Sequence, residues 1–379
     1  MSQEKIQILH VIYGMNIGGI ENWLMNLLRF INKDIFQMDF LVHTRDDGFY
    51  DNEIINLGSN ILRCPYPDKP IIYSLKFKAL INKHGPYNVI HSHVHHFSGW
   101  VLRTAHQVGI PIRIAHSHSN IDKLVYSSSW IRRAYYIYMK YLVKKYATLG
   151  IAVSTQAAIS LFGPKWNTDN RYRIMQCGIN VDLFNKVVDK EAVRKKLGIK
   201  SKYHVIGHVG RFSEAKNHPF IIDVFSEILK IDSSIRLLLV GDGENLLDIK
   251  KLALKKEVED KIIFTGLRHD IAELMLGAMD IFLIPSLWEG LGLVIIEAQA
   301  AGLPCILSDA IPNEADIIPD LICRIPLSEG TKQWAQKIIN FYDMKHRQEI
   351  SQTKILSSFI NSPFDFQNGK KKLESIYSK

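Results

Sequence analysis

The feature that most constrains this chain is a repeated rhythm of short apolar runs and helical patterns. In the second half HVIGHVGRF, IRLLLVGDGE, KIIFTGL, DIFLIPS and PCILSD each read as a strand that breaks off in Gly, Pro, Ser or Asp and leads into a helical run. The first half does the same, with IQILHVI, the amphipathic run ENWLMNLLRFI, then FQMDFLVH, YNVIHSH, PIRIAHSH and, from Ile151, IAVS. Strands that alternate with helices predict a parallel sheet covered on both faces. The rhythm pauses at CGINVDLFNKVVDK, Cys177 to Lys190, so the pattern predicts an α/β chain of two Rossmann-like halves joined near residue 180. From about Asn361 the sequence is Lys-rich and polar and reads as a terminal helix rather than another strand–helix unit.

Size and charge narrow the function classes. The 379 residues suffice for two ordinary domains, and 47% hydrophobic with 22% charged residues is a globular composition. No run of 18 apolar residues occurs. The opening MSQEKIQILHVIYGMN lacks a basic segment followed by an apolar one and reads as a first strand, so a cytoplasmic protein is expected. Cys64, Cys177, Cys305 and Cys323 lie far apart and form no CxxC, which suits free thiols in a reducing compartment. A formal charge of +9 and a pI near 9.1 admit nucleic acid, an anionic membrane or an anionic substrate. No zinc-finger spacing and no RNP-type aromatic motif is present, so no nucleic-acid partner is expected.

In an open parallel sheet, ligands bind beyond the carboxyl ends of the strands. The loop after each strand therefore carries the functional signal. The first, YGMNIGGIEN, sets Gly18 and Gly19 before a helix, where bare amides favour an anion. It is not GxGxxG, and a Gly pair before a helix is also an ordinary tight turn. The loop GRFSEAKNH follows HVIGHV and holds Gly210, Arg211 and Lys216. A planar guanidinium fork and a point charge five positions apart suit a diphosphate; without a ligand they are two solvated loop charges. GDGEN, with Gly241 and Gly243, and TGLRHDI, with Gly266 and Leu267, follow the next two strands and can pass close to a nucleotide.

The segment SLWEGLGLVIIEAQAAGLPCI places two acids, Glu289 and Glu297, in an otherwise apolar, Gly-rich run. WEGLG reads as a loop after DIFLIPS, and LVIIEAQAAG as a helix closed by Gly302 with Pro304 beyond. Glu289 is then expected in the loop and Glu297 about two turns into the helix. The amides of Gly290, Leu291, Gly292 and Leu293 present donors at the helix start. A helical carboxylate can accept two vicinal sugar hydroxyls. Because Val294, Ile295, Ile296 and Ala298 surround Glu297, no polar face is evident, and a carboxylate in such a setting needs a partner.

Six of the 15 histidines cluster: His91, His93, His95 and His96 in IHSHVHHF, and His116 and His118 in AHSHS. Period-2 spacing puts alternate imidazoles on one face, which can bind a metal. No carboxylate or cysteine lies near them in sequence, so no metal is expected; they read as structural histidines or, for His116 or His118, as ligands of sugar hydroxyls. The stretch SSWIRRAYYIYMKYLVKKYATLG carries Arg132, Arg133, Lys140, Lys144 and Lys145, a Trp, five Tyr and no acid. Such a helix can rest on an anionic membrane, or can be a core helix with a basic solvated edge.

Taken together, GGIEN at 18–22, GINVDLF at 178–184, GRFSEAKN at 210–217, GDGE at 241–244 and PSLWEGLGLVIIEAQAAGLP at 285–304 make nearly the whole chain resemble the glycosyltransferases of family 4. The E-x7-E spacing of Glu289 and Glu297 is the strongest mark. GMN-x-GG and AHSHS make it similar to the bacterial exopolysaccharide and capsule transferases. The resemblance implies a GT-B fold of two Rossmann-like domains facing across a cleft. It implies an acceptor and membrane side at 1–182, a donor domain at 183–360 and a helix at 361–379 returning to the first domain. It implies a retaining transfer of a hexose or N-acetylhexosamine from a nucleotide sugar, a UDP-sugar foremost, to a lipid-linked or oligosaccharide acceptor, with neither cofactor nor metal. By the family pattern Arg211 and Lys216 bind the diphosphate, Glu297 the donor ribose, and Glu289 lies near sugar and diphosphate. The amides of Gly290 to Leu293 touch both, Gly18 and Gly19 approach the phosphates on closure, and His118, or His116, contacts the sugar. The location implied is the inner face of the cell membrane, peripherally. The sequence contains no DxD, the usual carboxylate pair for a catalytic metal, and cations with a helix dipole can take its place. Two other readings compete: a sugar-nucleotide epimerase on the same fold, which needs acid/base carboxylates at the sugar's C2, and a non-enzymatic basic protein binding RNA, which acids beside the anion site disfavour.

Overall fold

The computed structural model describes residues 4–120, 129–346, 350–360 and 362–379. Ser128 of the basic aromatic stretch and Asn361 lie outside them. The chain forms two compact units: the residues through Gly178 together with Gln367–Lys379, and Ile179–Phe366.

The first unit carries strands β1 (Ile6–Ile12), β2 (Phe36–Val42), β3 (Ile61–Arg63), β4 (Val89–Ser92), β5 (Ile112–Ser117), β6 (Leu149–Ala152) and β7 (Tyr172–Ile174). They lie in the order β3-β2-β1-β4-β5-β6-β7, every pair parallel. Short apolar strands buried on both faces need helices on both sides, and these supply them. Helix Gly19–Phe30 turns Trp23, Leu24, Met25, Leu27 and Leu28 inward. Helix Trp130–Tyr146 buries Tyr136, Met139, Leu142 and Val143.

The second unit carries β8 (His204–Val209), β9 (Ile235–Val240), β10 (Ile262–Phe264), β11 (Ile281–Ile284), β12 (Cys305–Ser308) and β13 (Ile322–Ile325). Their order, β10-β9-β8-β11-β12-β13, is that of the first sheet without its last strand, and again all pairs are parallel. Ile206, Leu237, Leu239, Leu283, Ile306 and Trp334 belong to one buried core. In both sheets the order reverses beside the first strand, which is where open α/β sheets bind ligands.

Every strand read from the sequence is present. β3, β7 and β13 were not legible: runs of three or four residues are too short to show a period. β6 begins two residues ahead of Ile151. Helix Leu293–Ala300 starts after Gly292, which takes a left-handed conformation, so Glu297 sits little more than one turn into it rather than two. At the carboxyl end a short helix, Gln352–Ser357, precedes Phe366–Tyr377, and the Tyr377 hydroxyl lies 2.7 Å from His91 Nδ1 in the first unit. Among the described residues no helix is long and apolar enough to cross a membrane.

Candidate active site

In the second unit the parallel topology brings four of the loops singled out above to one edge. Those after β8, β9, β10 and β11 follow adjacent strands, and backbone hydrogen bonds lock them together. Gly210 N–H donates to Val240 O at 3.0 Å, Gly241 N–H to Gly266 O at 2.9 Å and Phe212 N–H to Asp242 O at 2.9 Å. Leu287 N–H donates to Ala215 O at 2.8 Å, joining the Arg211 loop to the Glu289 loop. The contacts are close enough to require glycine. A Cβ on Gly241, whose φ is +140°, would stand 2.1 Å from Gly210 O, and one on Gly243 2.5 Å from Phe212 O. Leu267 is exposed beside Gly266.

The two acids do different things. Glu289 Oε1 accepts from Lys216 Nζ at 2.6 Å and from the Ser286 hydroxyl at 2.8 Å. Both charged side chains are largely buried, 17% and 12% exposed, so the pair is a fixed ionic contact rather than a surface one. Asn217, in a left-handed turn at φ 56°, starts the next helix and donates from Nδ2 to Pro285 O at 3.2 Å, which clamps Lys216 in place. Arg211 is 74% exposed and among the described residues pairs with the exposed Glu244, with Nε 3.1 Å from Oε2. Glu297 has no hydrogen-bond partner for its carboxylate among the described residues. It is part-buried, and its apolar surroundings push the carboxyl up to about 7. Gly290 and Leu291 are buried and Gly292 and Leu293 part-buried at the start of the same helix.

Sequence reasoning missed Ser286, Glu244 and two imidazoles behind Lys216. His208, on β8, is fully buried and donates from Nδ1 to Leu283 O at 2.8 Å, while burial lowers it to about 3. His218 stacks on Phe212 at 4.0 Å, and burial lowers it to about 2. Both were visible as HV and NH beside the loop, without a pattern to single them out.

In the first unit Gly18 caps helix Gly19–Phe30 without a side-chain hydrogen bond, and Gly19 is exposed. The histidines form a cluster at the carboxyl end of the sheet. In register His10 stands beside His91, and Ser92 beside Ala115, so the next residues bring His93 alongside His116. Spacing by two keeps these rings on one face. His10 Nδ1 lies 3.0 Å from His93 Nε2, and His93 Nδ1 lies 2.8 Å from His118 Nε2. His91 Nε2 lies 3.1 Å from His116 Nδ1. His118 Nδ1 faces Cys177 Sγ at 3.8 Å. Trp23 packs edge-on against His116 at 5.6 Å and also contacts His93 and His118. His116 is fully buried, while His118 keeps part of its surface. His10, Trp23 and Cys177 were not singled out in sequence; the first could have been found from the matching positions of HVI and IHSH in their strands.

Helix Trp130–Tyr146 packs Tyr136, Met139, Leu142 and Val143 inward, and its outer face is both basic and aromatic. Trp130, Ile131, Tyr135, Ile137, Tyr138 and Tyr141 are exposed on it. Arg132, Arg133, Lys144 and Lys145 are exposed beside them, and Lys140 is part-exposed. Arg132 Nε donates to the Tyr136 hydroxyl at 3.1 Å.

Comparison with known proteins bears on the family and the fold. Residues 17–183 match the model of Glycosyltransferase Family 4, and residues 189–355 that of Glycosyl transferases group 1. The chain is 34% identical to the putative glycosyltransferase EpsF of Bacillus subtilis over 89% of its own length and 88% of that protein's. It is 26% identical to the capsular polysaccharide biosynthesis glycosyltransferase CapH of Staphylococcus aureus over 98% of both chains. Its fold is similar to that of Anabaena HepE, solved in complex with UDP-glucose, with a TM-score of 0.79, 18% identity and coverage of 98% and 99%.

Proposed function

The chain belongs to glycosyltransferase family 4, with two Rossmann-like domains of the GT-B type, and we propose that it moves a hexose or N-acetylhexosamine from a UDP-sugar to a lipid-linked or oligosaccharide acceptor in exopolysaccharide or capsule biosynthesis. The observation that carries this reading is the loop cluster of the second unit. A clamped lysine, an exposed arginine paired with the exposed Glu244, and a carboxylate without a hydrogen-bond partner among the described residues stand there at the ends of adjacent strands.

In this reading the donor diphosphate meets Lys216 Nζ and the exposed guanidinium of Arg211. Glu289 and Ser286 keep the ammonium oriented, so little reorganisation is needed as charge develops on the leaving group. The Glu297 carboxylate accepts the two ribose hydroxyls, which gives the buried acid the partner it lacks. The first turn of helix Leu293–Ala300 turns its amides toward sugar and phosphate. The bond from the sugar's anomeric carbon to the phosphate oxygen breaks while the acceptor oxygen bonds the same face. The acceptor proton passes to the departing phosphate, so configuration is retained and no metal is required at the diphosphate. For His118 a sugar contact requires release of one ring nitrogen from His93 or Cys177. Helix Trp130–Tyr146 places the enzyme on the anionic inner face of the cell membrane, with aromatics at the interface and cations on the headgroups.

The test is thermal stabilisation and nucleotide release with UDP-, GDP- and ADP-sugars in chelator-containing buffer, for wild type, Glu297→Ala and Arg211→Ala. One sugar nucleotide should stabilise the wild type and release its nucleotide on adding acceptor, and both variants should lose the stabilisation. Equal binding by all three proteins would sink the assignment.

A further inference from the structure

We propose that the imidazole cluster of the first unit is a binding site for a divalent cation of the zinc class, held by His93, His116 and His118. One nitrogen from each lies within 4.8 Å of the others. His93 Nδ1 and His118 Nε2 face each other at 2.8 Å. His116 offers Nε2, which is buried and has no partner among the described residues, while its Nδ1 has His91 Nε2 at 3.1 Å. Zinc–imidazole bonds of about 2.0–2.1 Å in a tetrahedral set separate the nitrogens by about 3.4 Å. The His93 and His118 rings therefore part by roughly half an ångström, and the cation replaces the proton they share.

The surroundings fit ligation ring by ring. A metal-bound imidazole donates its other N–H to a fixed acceptor. Here His93 Nε2 has His10 Nδ1 at 3.0 Å, His116 Nδ1 has His91 Nε2 at 3.1 Å and His118 Nδ1 has Cys177 Sγ at 3.8 Å. His91 then donates from Nδ1 to the Tyr377 hydroxyl at 2.7 Å, which closes the chain of donors. In sequence no cysteine lies near the histidines; in the fold Cys177 does. Its Sγ stands against the Nδ1 side of His118, away from the Nε2 that faces His93, so it orients that ring instead of ligating. Three imidazoles without a carboxylate suit zinc rather than calcium or magnesium. His10, His91 and His93 also converge, but all three are closed to solvent, whereas the part-exposed His118 gives an ion its way in. The site takes the His118 nitrogen that a sugar contact would need and is otherwise independent of the donor loops.

The test uses the full chain, stripped with a chelator and titrated with Zn²⁺ against a chromophoric competitor, and with Co²⁺ for its visible spectrum. Wild type should take up one ion per chain, gain thermal stability and give the intense bands of tetrahedral Co²⁺. His93→Gln and His118→Gln should lose the ion, and Cys177→Ser should weaken it by about 10- to 100-fold. His106→Gln, exposed on helix Ser98–Gln107, should keep it. A folded wild type that takes up no zinc overturns the proposal, as does zinc retained unchanged by a folded His118→Gln. If the ligand variants do not fold, the wild-type titration and spectrum decide: weak octahedral bands also overturn it.

Discussion

The carboxyl ends of the two sheets make an instructive pair, because strand order is shared and the furnishing is not. In the first unit the strand ends carry imidazoles that bond mainly to one another, roofed by Trp23. In the second they carry glycine loops, an exposed arginine, a clamped lysine and a carboxylate with no partner. Groups that satisfy one another are held in place; groups left unsatisfied are spare for a ligand. The second unit thus offers complementarity to a charged, hydroxyl-rich molecule. The first offers an imidazole cluster in which His116 Nε2 has no partner among the described residues and, on helix Trp130–Tyr146, a surface of aromatics and cations. The fold repeats, and the loops divide the labour.

Two variants, one in each unit, should have the largest effects. Changing Arg132, Arg133, Lys140, Lys144 and Lys145 together to Gln removes about 1 kcal/mol of attraction per charge, or roughly 10³-fold or more in binding to anionic vesicles. Sedimentation with phosphatidylglycerol vesicles should show that loss, with nucleotide-sugar affinity unchanged. Retained binding would show that the cations are only solvated. On the other side, Lys216→Met takes the cation from the proposed diphosphate site and leaves Glu289, 12% exposed, without it. Transfer should fall about 10²- to 10³-fold in a radiolabelled-sugar assay. Vesicle binding should stay as it was.

Much of this division is legible in the sequence, for a physical reason. Alternating strands and helices force a parallel sheet, and a parallel sheet gathers the loops after its strands along one edge. The convergence of Gly210, Gly241, Gly266 and Glu289 therefore followed once the strands were recognised. The partnerships did not. Lys216 and Glu289 are 73 positions apart, and their contact depends on a left-handed Asn217 and on a backbone bond between loops, neither of which has a residue pattern. The histidine spacing in IHSHVHHF and AHSHS showed that rings share a face. His10 joins them through strand register, which only matching HVI to IHSH would reveal, and nothing in the spacing shows that Cys177 arrives from a later segment. The helix starts at Leu293 as the loop WEGLG predicts, and only the two turns expected before Glu297 overstate its depth, which is little more than one.

Glu297 sharpens the comparison through pH. Burial raises its carboxyl from 4.5 to about 7. Between those values the folded chain holds a proton that the unfolded chain has lost, so stability falls as pH rises through this window. Above it the deficit is about 3 kcal/mol. Glu297→Gln should therefore be more stable than wild type at about pH 8 and equal to it at about pH 4, as read by denaturant melts. Ribose hydroxyls bond the ionised acid better, so nucleotide-sugar affinity in wild type should weaken as pH drops below about 7. In Glu297→Gln it should be about 10- to 100-fold weaker and flat with pH. A pH-dependent affinity in the variant would move the titrating group elsewhere.

The smallest effect separates glycines that serve a turn from those that serve the site. Gly58, at φ +85° in the first unit, has nothing within 4 Å of where a Cβ would stand, whereas Gly241 has Gly210 O at 2.1 Å. Gly58→Ala bears only the left-handed strain, about 1 kcal/mol. Gly241→Ala bears strain and displacement of the neighbouring loop, about 3 kcal/mol. The difference of about 2 kcal/mol should appear in denaturant midpoints. Nucleotide-sugar affinity is the finer probe, because displacing Gly210 moves the start of the Arg211 loop. It should drop in Gly241→Ala and hold in Gly58→Ala. Equal losses of stability in the two would mean that the second unit's loops can yield, and that their close packing is not what positions Arg211 and Lys216.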